Sequence, residues 1–89
     1  MKISEIIKKP EGRRIEFKTK LNSNTEFAKT IIAFANDAGG EIFVGINDKP
    51  REISGVNEED LLLLEEKISN IISDNCSPII LPEISFITF

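Results

Sequence analysis

Lys8, Lys9, Arg13, Arg14, Lys18 and Lys20 fall close together and are opposed within that stretch only by Glu11 and Glu16. Clustered lysine and arginine on one surface suit a phosphate backbone, because neutralising phosphates releases condensed counterions. The run is local, since the 89-residue chain carries a net charge of −4. Residues 1–52 hold ten Lys/Arg against eight Asp/Glu, whereas residues 53–89 hold one against seven. Lys29, Lys49 and Arg51 can extend the basic surface if a helix and a hairpin bring them beside it. A charge run is also what an ordinary solvated face looks like, so the run needs company from other motifs. With no Trp or Tyr, and with six Phe mostly at core-patterned positions, base stacking is poorly provided for. Contacts to nucleic acid are therefore expected to be electrostatic and weakly specific.

Other chemistries are excluded by composition. There is no histidine and one cysteine, Cys76, which rules out an internal disulfide, a zinc-type ligand cluster and a histidine triad. No Gly-x-x-x-x-Gly-Lys-Ser/Thr occurs, and Gly39-Gly40 runs from helix to strand, the opposite sense to a phosphate loop, so ATP is not expected as a cofactor. The apolar fraction of 40% and charged fraction of 29% are those of an ordinary globular domain. The first residues lack the apolar core of a secretion signal, and no apolar run is long enough for a bilayer, so a cytoplasmic location with no membrane partner is expected.

These residues need a scaffold, and hydrophobic periodicity outlines it. Ile3, Ile6 and Ile7 suggest a short opening helix ended by Pro10 and Gly12. Residues 14–20 read as a strand, with Ile15 and Phe17 on one face and Glu16 and Lys18 on the other. Ser23 or Asn24 caps a helix over residues 25–37, carrying Phe27, Ile31, Phe34 and Ala35 as its stripe. Asn36 to Gly40 is the hinge, with Gly39 or Gly40 at positive φ, and residues 41–46 follow as a strand with Ile42, Val44 and Ile46 on one buried face. Gly45 lets another backbone approach. Asn47-Asp48-Lys49-Pro50 is turn chemistry, residues 51–54 return as the second strand of a hairpin, and Asn57 opens the longest helix, with Leu61, Leu64, Ile68, Ile71 and Ile72 buried. Residues 83–89 alternate like a final strand that stops on an apolar residue, which points to a truncated domain with an open edge and a possible homodimer. The order is helix, strand, helix, hairpin, helix, strand: an α+β fold with a small mixed sheet, in one domain over residues 1–89.

Glu16-Phe17-Lys18, the helix end Ala33-Phe34-Ala35-Asn36, Gly39-Gly40, Gly45-Ile46-Asn47-Asp48-Lys49 and Gly55-Val56, in that order, resemble the Schlafen-type AlbA-like domain, once labelled the divergent AAA domain. The resemblance implies binding of DNA or RNA. It also implies an N-terminal position in a bacterial protein of the kind described as a transcriptional regulator. Some Schlafen members cut RNA with two glutamates and an aspartate, which the resemblance maps onto Glu11, Glu16 and Asp48, with Mg or Mn as the implied cation. Asn47 stands where the family commonly has an aspartate. The alternative roles are plainer: Glu16 pairs with Lys18 or Arg14, Asp48 bonds its own turn, and Glu11 is solvated. A third reading, an interaction or dimerisation module, rests on Leu62 and Leu63, which extend the apolar arc of the long helix.

Overall fold

Strands β1 (Ile15–Lys18) and β2 (Glu41–Val44) pair in parallel. A parallel pair needs the chain between its members to cross back along the sheet, and helix α2 (Asn24–Asn36) is that crossover. The computed structural model describes residues 3–12, 14–21, 24–77 and 80–87. Helix α1 (Ile3–Ile6) precedes β1, and a short antiparallel ladder of β3 (Ile46–Asn47) and β4 (Glu52–Ile53) follows β2. A 3-10 turn (Glu58–Asp60) then leads into helix α3 (Leu61–Asn75). The architecture is α+β, with one parallel and one antiparallel two-stranded sheet among the described residues.

The register Ile15↔Glu41 and Phe17↔Phe43 puts the apolar residues of β1 on the same face as Phe43. That face buries Ile6 of α1 together with Phe17 and Ile46. Ile42 points the other way, into a second cluster built by Phe27 and Ala28 of α2 and Ile71 of α3. The sheet is therefore buried on both sides: α1 covers one, and the packed α2 and α3 cover the other.

Gly39, at φ +87°, turns the chain out of α2, and its N–H closes on the Phe34 carbonyl at 2.9 Å. Gly40 is needed for a different reason. A Cβ there would stand 2.5 Å from Cδ2 of Phe34 and 2.9 Å from the Arg14 carbonyl oxygen. Gly45, at φ +96°, ends β2 two residues earlier than a strand over residues 41–46 would. Its carbonyl accepts from the N–H groups of Ser54 and Gly55 at 2.9 and 2.8 Å, the close backbone approach expected of it. The break also reverses the alternation, so Ile46 joins the α1-side cluster instead of continuing the face of Ile42.

Two further expectations differ from the structure. Asn24 is the first residue of α2, and Ser23 lies outside the described residues. Residues 83–87 are not a strand, while Thr88 and Phe89 lie outside the described residues. Alternation alone does not make a strand: no described strand lies beside this segment to exchange backbone hydrogen bonds, and Phe86 and Ile87 stay exposed. Along α3, Ile71 and Ile72 are buried and Leu61, Leu64 and Ile68 half-buried, whereas Leu62 and Leu63 are 75% and 65% exposed. No described helix is long and apolar enough to cross a membrane.

Gly40→Ala is expected to lower stability by ~1–3 kcal/mol, the usual cost of forcing an extra group into a packed corner. Gly12→Ala meets nothing within 4 Å and serves as the control, expected within about 0.5 kcal/mol of the parent. Urea unfolding of both variants checks the pair.

Candidate functional site

Glu11 approaches the site from the loop after Pro10. Its Oε2 accepts the Phe17 N–H at 2.9 Å, on the edge of β1 that β2 does not use. This is a side chain standing in for a neighbouring strand, and it places one carboxylate beside the middle of β1. Glu16 sits on that strand, half-buried, with Lys18 Nζ 3.7 Å from its Oε1. Asp48 comes from the turn after β3, where Arg51 Nη2 donates to its Oδ1 at 3.1 Å. Asn47, its neighbour, accepts from Thr19 Oγ1 at 3.3 Å and donates to the Pro50 carbonyl at 3.1 Å, which ties the turn to the end of β1.

The three acids feel one another at Glu16. Burial pushes the Glu16 carboxyl above its ordinary value of 4.5, and the nearby Glu11 charge pushes the same way, against the opposing pull of Lys18. A hydrogen bond with Glu11 and the charge of Asp48 raise it further. The trio nevertheless does not form a cation cage. Among the described residues no three acidic, cysteine or histidine side chains are grouped so as to hold a metal ion. Two of the carboxylates already serve fixed donors, Glu11 the Phe17 amide and Asp48 the Arg51 guanidinium. To take the Mg or Mn that the resemblance implies, Glu11 and Asp48 would each have to give up its present donor.

The basic residues divide by what they already hold. Arg14 donates from Nη2 to the Ala38 carbonyl at 3.0 Å and from Nε to the Gly39 carbonyl at 3.4 Å, satisfying the hinge that follows α2 while staying exposed. Lys9 stands 3.5 Å from Glu41 and 5.8 Å from the centre of the Phe43 ring. Arg51 is the most engaged: its guanidinium lies 3.8 Å over the Phe17 ring, and Nη1 donates to the carbonyls of Ile7, at 3.2 Å, and of Lys9. Lys29 is exposed on α2 with Glu26 at 3.8 Å, and Lys20 and Lys49 are exposed. Arg13 lies outside the described residues. Nothing in the sequence announces the grip of Arg51, because its partners lie 42 to 44 residues away and are backbone carbonyls.

Asn36, Gly39, Gly40 and Gly45 shape the corners around β2 and so position both sets of charges. Asn36 ends α2. Residues 11–89 match the family model described as Schlafen, AlbA_2. An uncharacterized ATP-binding protein of Ureaplasma parvum is 35% identical to this chain over 71 residues, which covers 76% of this chain and 20% of that protein. The chain thus spans about a fifth of the length of this curated relative. No solved structure matches the chain.

Because the folded state raises the Glu16 pKa, it holds that proton more tightly than the unfolded chain does. The favourable contribution of Glu16 is therefore complete below its ordinary value of 4.5 and is lost as pH rises through the raised folded value. Glu16→Gln removes this dependence. The melting temperature of the variant is expected to gain on that of the parent as pH goes from 4 to 7, and thermal melts across that range check the sign.

Proposed function

The chain belongs to the Schlafen AlbA_2 family, and from that premise we propose that it binds nucleic acid through phosphate contacts made by its exposed basic residues. The single observation that carries this reading is the family match, which runs from Glu11 through every element from β1 onward. The charge distribution supports it. Lys20, Lys29 and Lys49 are exposed, the Arg14 guanidinium is exposed while it holds the hinge after α2, and Lys18 is half-exposed near them in sequence. Contacts of this type neutralise phosphates without reading base edges, so DNA and RNA both remain within the proposal. A part in transcription is a proposal about the whole protein and requires DNA binding first. The Ureaplasma relative is named for ATP binding. This chain offers no Gly-Lys-Ser/Thr for the phosphates, so we do not propose a nucleotide site in it.

A second reading, a metal-dependent endoribonuclease, is favoured at Glu16, whose carboxyl is pushed above its ordinary value by burial and by the charges of Glu11 and Asp48. Asp48 would have to exchange Arg51 for the cation, so no catalytic step follows from this arrangement of the acids. Incubating the full-length protein with labelled tRNA, in manganese and in EDTA, tests it. Manganese-dependent cleavage that Glu16→Gln abolishes while binding persists would establish the enzyme.

For binding itself, fluorescence anisotropy with tRNA and with duplex DNA is expected to show affinity that falls steeply with salt. Lys20→Glu together with Lys49→Glu should weaken both ligands alike and reduce the salt slope by about one for each phosphate that is no longer neutralised. These positions are better probes than Arg14 or Arg51, whose side chains also hold the fold. No binding by the full-length protein at low salt, or affinity indifferent to the two reversals, overturns the reading.

A further inference from the structure

Helix α3 carries its apolar residues over a wider arc than the core uses. Leu62 and Leu63 stand 75% and 65% exposed, side by side, while Leu61 and Leu64 turn inward. Single exposed leucines are ordinary, but an adjacent pair on one helix makes an apolar patch. Leu63 also stands between two hollows, one bordered by Val44 and Val56 and the other by Asn70 and Asp74, so an incoming side chain has room on either side of it. The patch is rimmed by acid. Residues three and four positions away are neighbours on a helix surface, which sets Glu58, Glu59, Glu65 and Glu66 around Leu62 and adds Asp60 beside Leu63. None of these carboxylates has an ion pair or hydrogen bond among the described residues. Lys67 follows Leu63 by four residues but donates to the Leu21 carbonyl at 3.3 Å, and Lys20 lies across the hollow that Val44 and Val56 border.

We propose that the face of α3 bearing Leu62 and Leu63 docks a basic amphipathic helix of a partner protein, whose apolar stripe covers the two leucines while its lysines or arginines meet the acid rim. Charge selects this occupant. The helix dipole accounts for the acids just ahead of α3, but its reach ends within the first turn and does not account for Glu65 and Glu66. A nucleic acid or an anionic membrane surface is repelled by the rim. A twofold dimer through the same leucines sets each rim against its copy, carboxylate against carboxylate, so this face is ill suited to the dimerisation that the leucines suggest in the sequence. A cationic partner relieves the crowding of charge that every other occupant worsens. A helix suits the shape, because the patch is a helix ridge with a hollow on each side. The proposal is independent of the phosphate contacts, which use other residues.

The test uses the full-length protein and a synthetic peptide of leucine and lysine, patterned so that the leucines form one helical stripe. A scrambled peptide of the same composition keeps the charge and loses the stripe. Calorimetry is expected to show binding of the patterned peptide that weakens as salt rises, with amide NMR shifts centred on residues 58–67. Leu62→Ala together with Leu63→Ala is expected to weaken that binding on the order of tenfold or more, the effect of truncating an interface anchor. Glu59→Gln together with Glu66→Gln is expected to weaken it at low salt and flatten its salt dependence. All four side chains are exposed, and urea unfolding at the parental midpoint confirms that each variant is folded.

Equal binding of the patterned and scrambled peptides, or affinity indifferent to the double alanine change, overturns the proposal, since charge alone then explains the contact. Absence of binding by the patterned peptide overturns it as well. Two competing occupants are read on the parent protein. A dimer in sedimentation that the double alanine change dissolves assigns the face to a second copy, and leucine methyls of Leu62 and Leu63 shielded from a soluble paramagnetic agent in the free full-length protein assign it to the protein's own chain; either result overturns the proposal. The expected result is a monomer whose two leucines are open to the agent and become shielded when the patterned peptide, and not the scrambled one, is added.

Discussion

The structure depends on the close approach at Gly40. With no Cβ, this residue lets the Phe34 ring of α2 and the Arg14 carbonyl at the start of β1 meet the chain just where β2 begins. The Arg14 carbonyl then accepts the Glu41 N–H at 2.8 Å, and the Arg14 guanidinium returns to cap the Ala38 and Gly39 carbonyls. One residue thus ties helix end and strand start through main chain and side chain together. The register Ile15↔Glu41 follows from that bond, and it brings Phe17 opposite Phe43 with ring centres 5.5 Å apart. Arg51 lies over the first ring and Lys9 over the second, so each ring of the pair carries a cation. A shift of β2 by one residue would turn Phe43 to the helices and dismantle the pair.

This arrangement changes what the basic run means. Lys9 and Arg51 are engaged with the aromatic pair, with acids and with carbonyls, and Arg14 closes the hinge. Such cations are costly to redirect toward a phosphate, because each would leave a carbonyl, a ring or a carboxylate behind. The electrostatic surface open to a ligand is consequently smaller than the run of letters suggests. It rests on side chains such as Lys20 and Lys49 that stay in solvent. Lys18 is intermediate, half-exposed but facing Glu16.

Much of the fold is legible in the chain because its signals are local. The stripe of Phe27, Ile31 and Phe34 and the change of period after Asn36 mark α2, the hinge and β2, and the positive φ of Gly39 agrees with them. The signal misleads where a tertiary event overrides period. Ile42, Val44 and Ile46 share a phase, yet the backbone reverses at Gly45 and sends Ile46 to the opposite cluster. Residues 83–87 alternate as well as β1 does, but a strand is defined by its neighbour and none is present among the described residues. At the site, the spacing of Glu11 and Glu16 is visible in the sequence, whereas the engagement of Glu11 by the Phe17 amide is not. That bond depends on β1 having an edge that no described strand pairs with, a property of the sheet and not of either residue.

The physical domain extends beyond the family match for the same kind of reason. The match begins at Glu11, yet Ile6 lies at only 2% exposure and packs on Phe17 and Ile46. Without α1 that face of the sheet would expose Phe17 and Ile46 to water, at a cost of about 1.5–3 kcal/mol for each large side chain uncovered. A small domain has little stability to spare. Helix α1 is too short to be stable by itself, so its docking must come from tertiary contacts. Burial of Ile6 supplies the affinity, and the two carbonyls taken by Arg51 supply the orientation. The N-terminal segment is therefore part of the core that carries the acids, and a cut at the start of the family match would remove one wall of the site's own support.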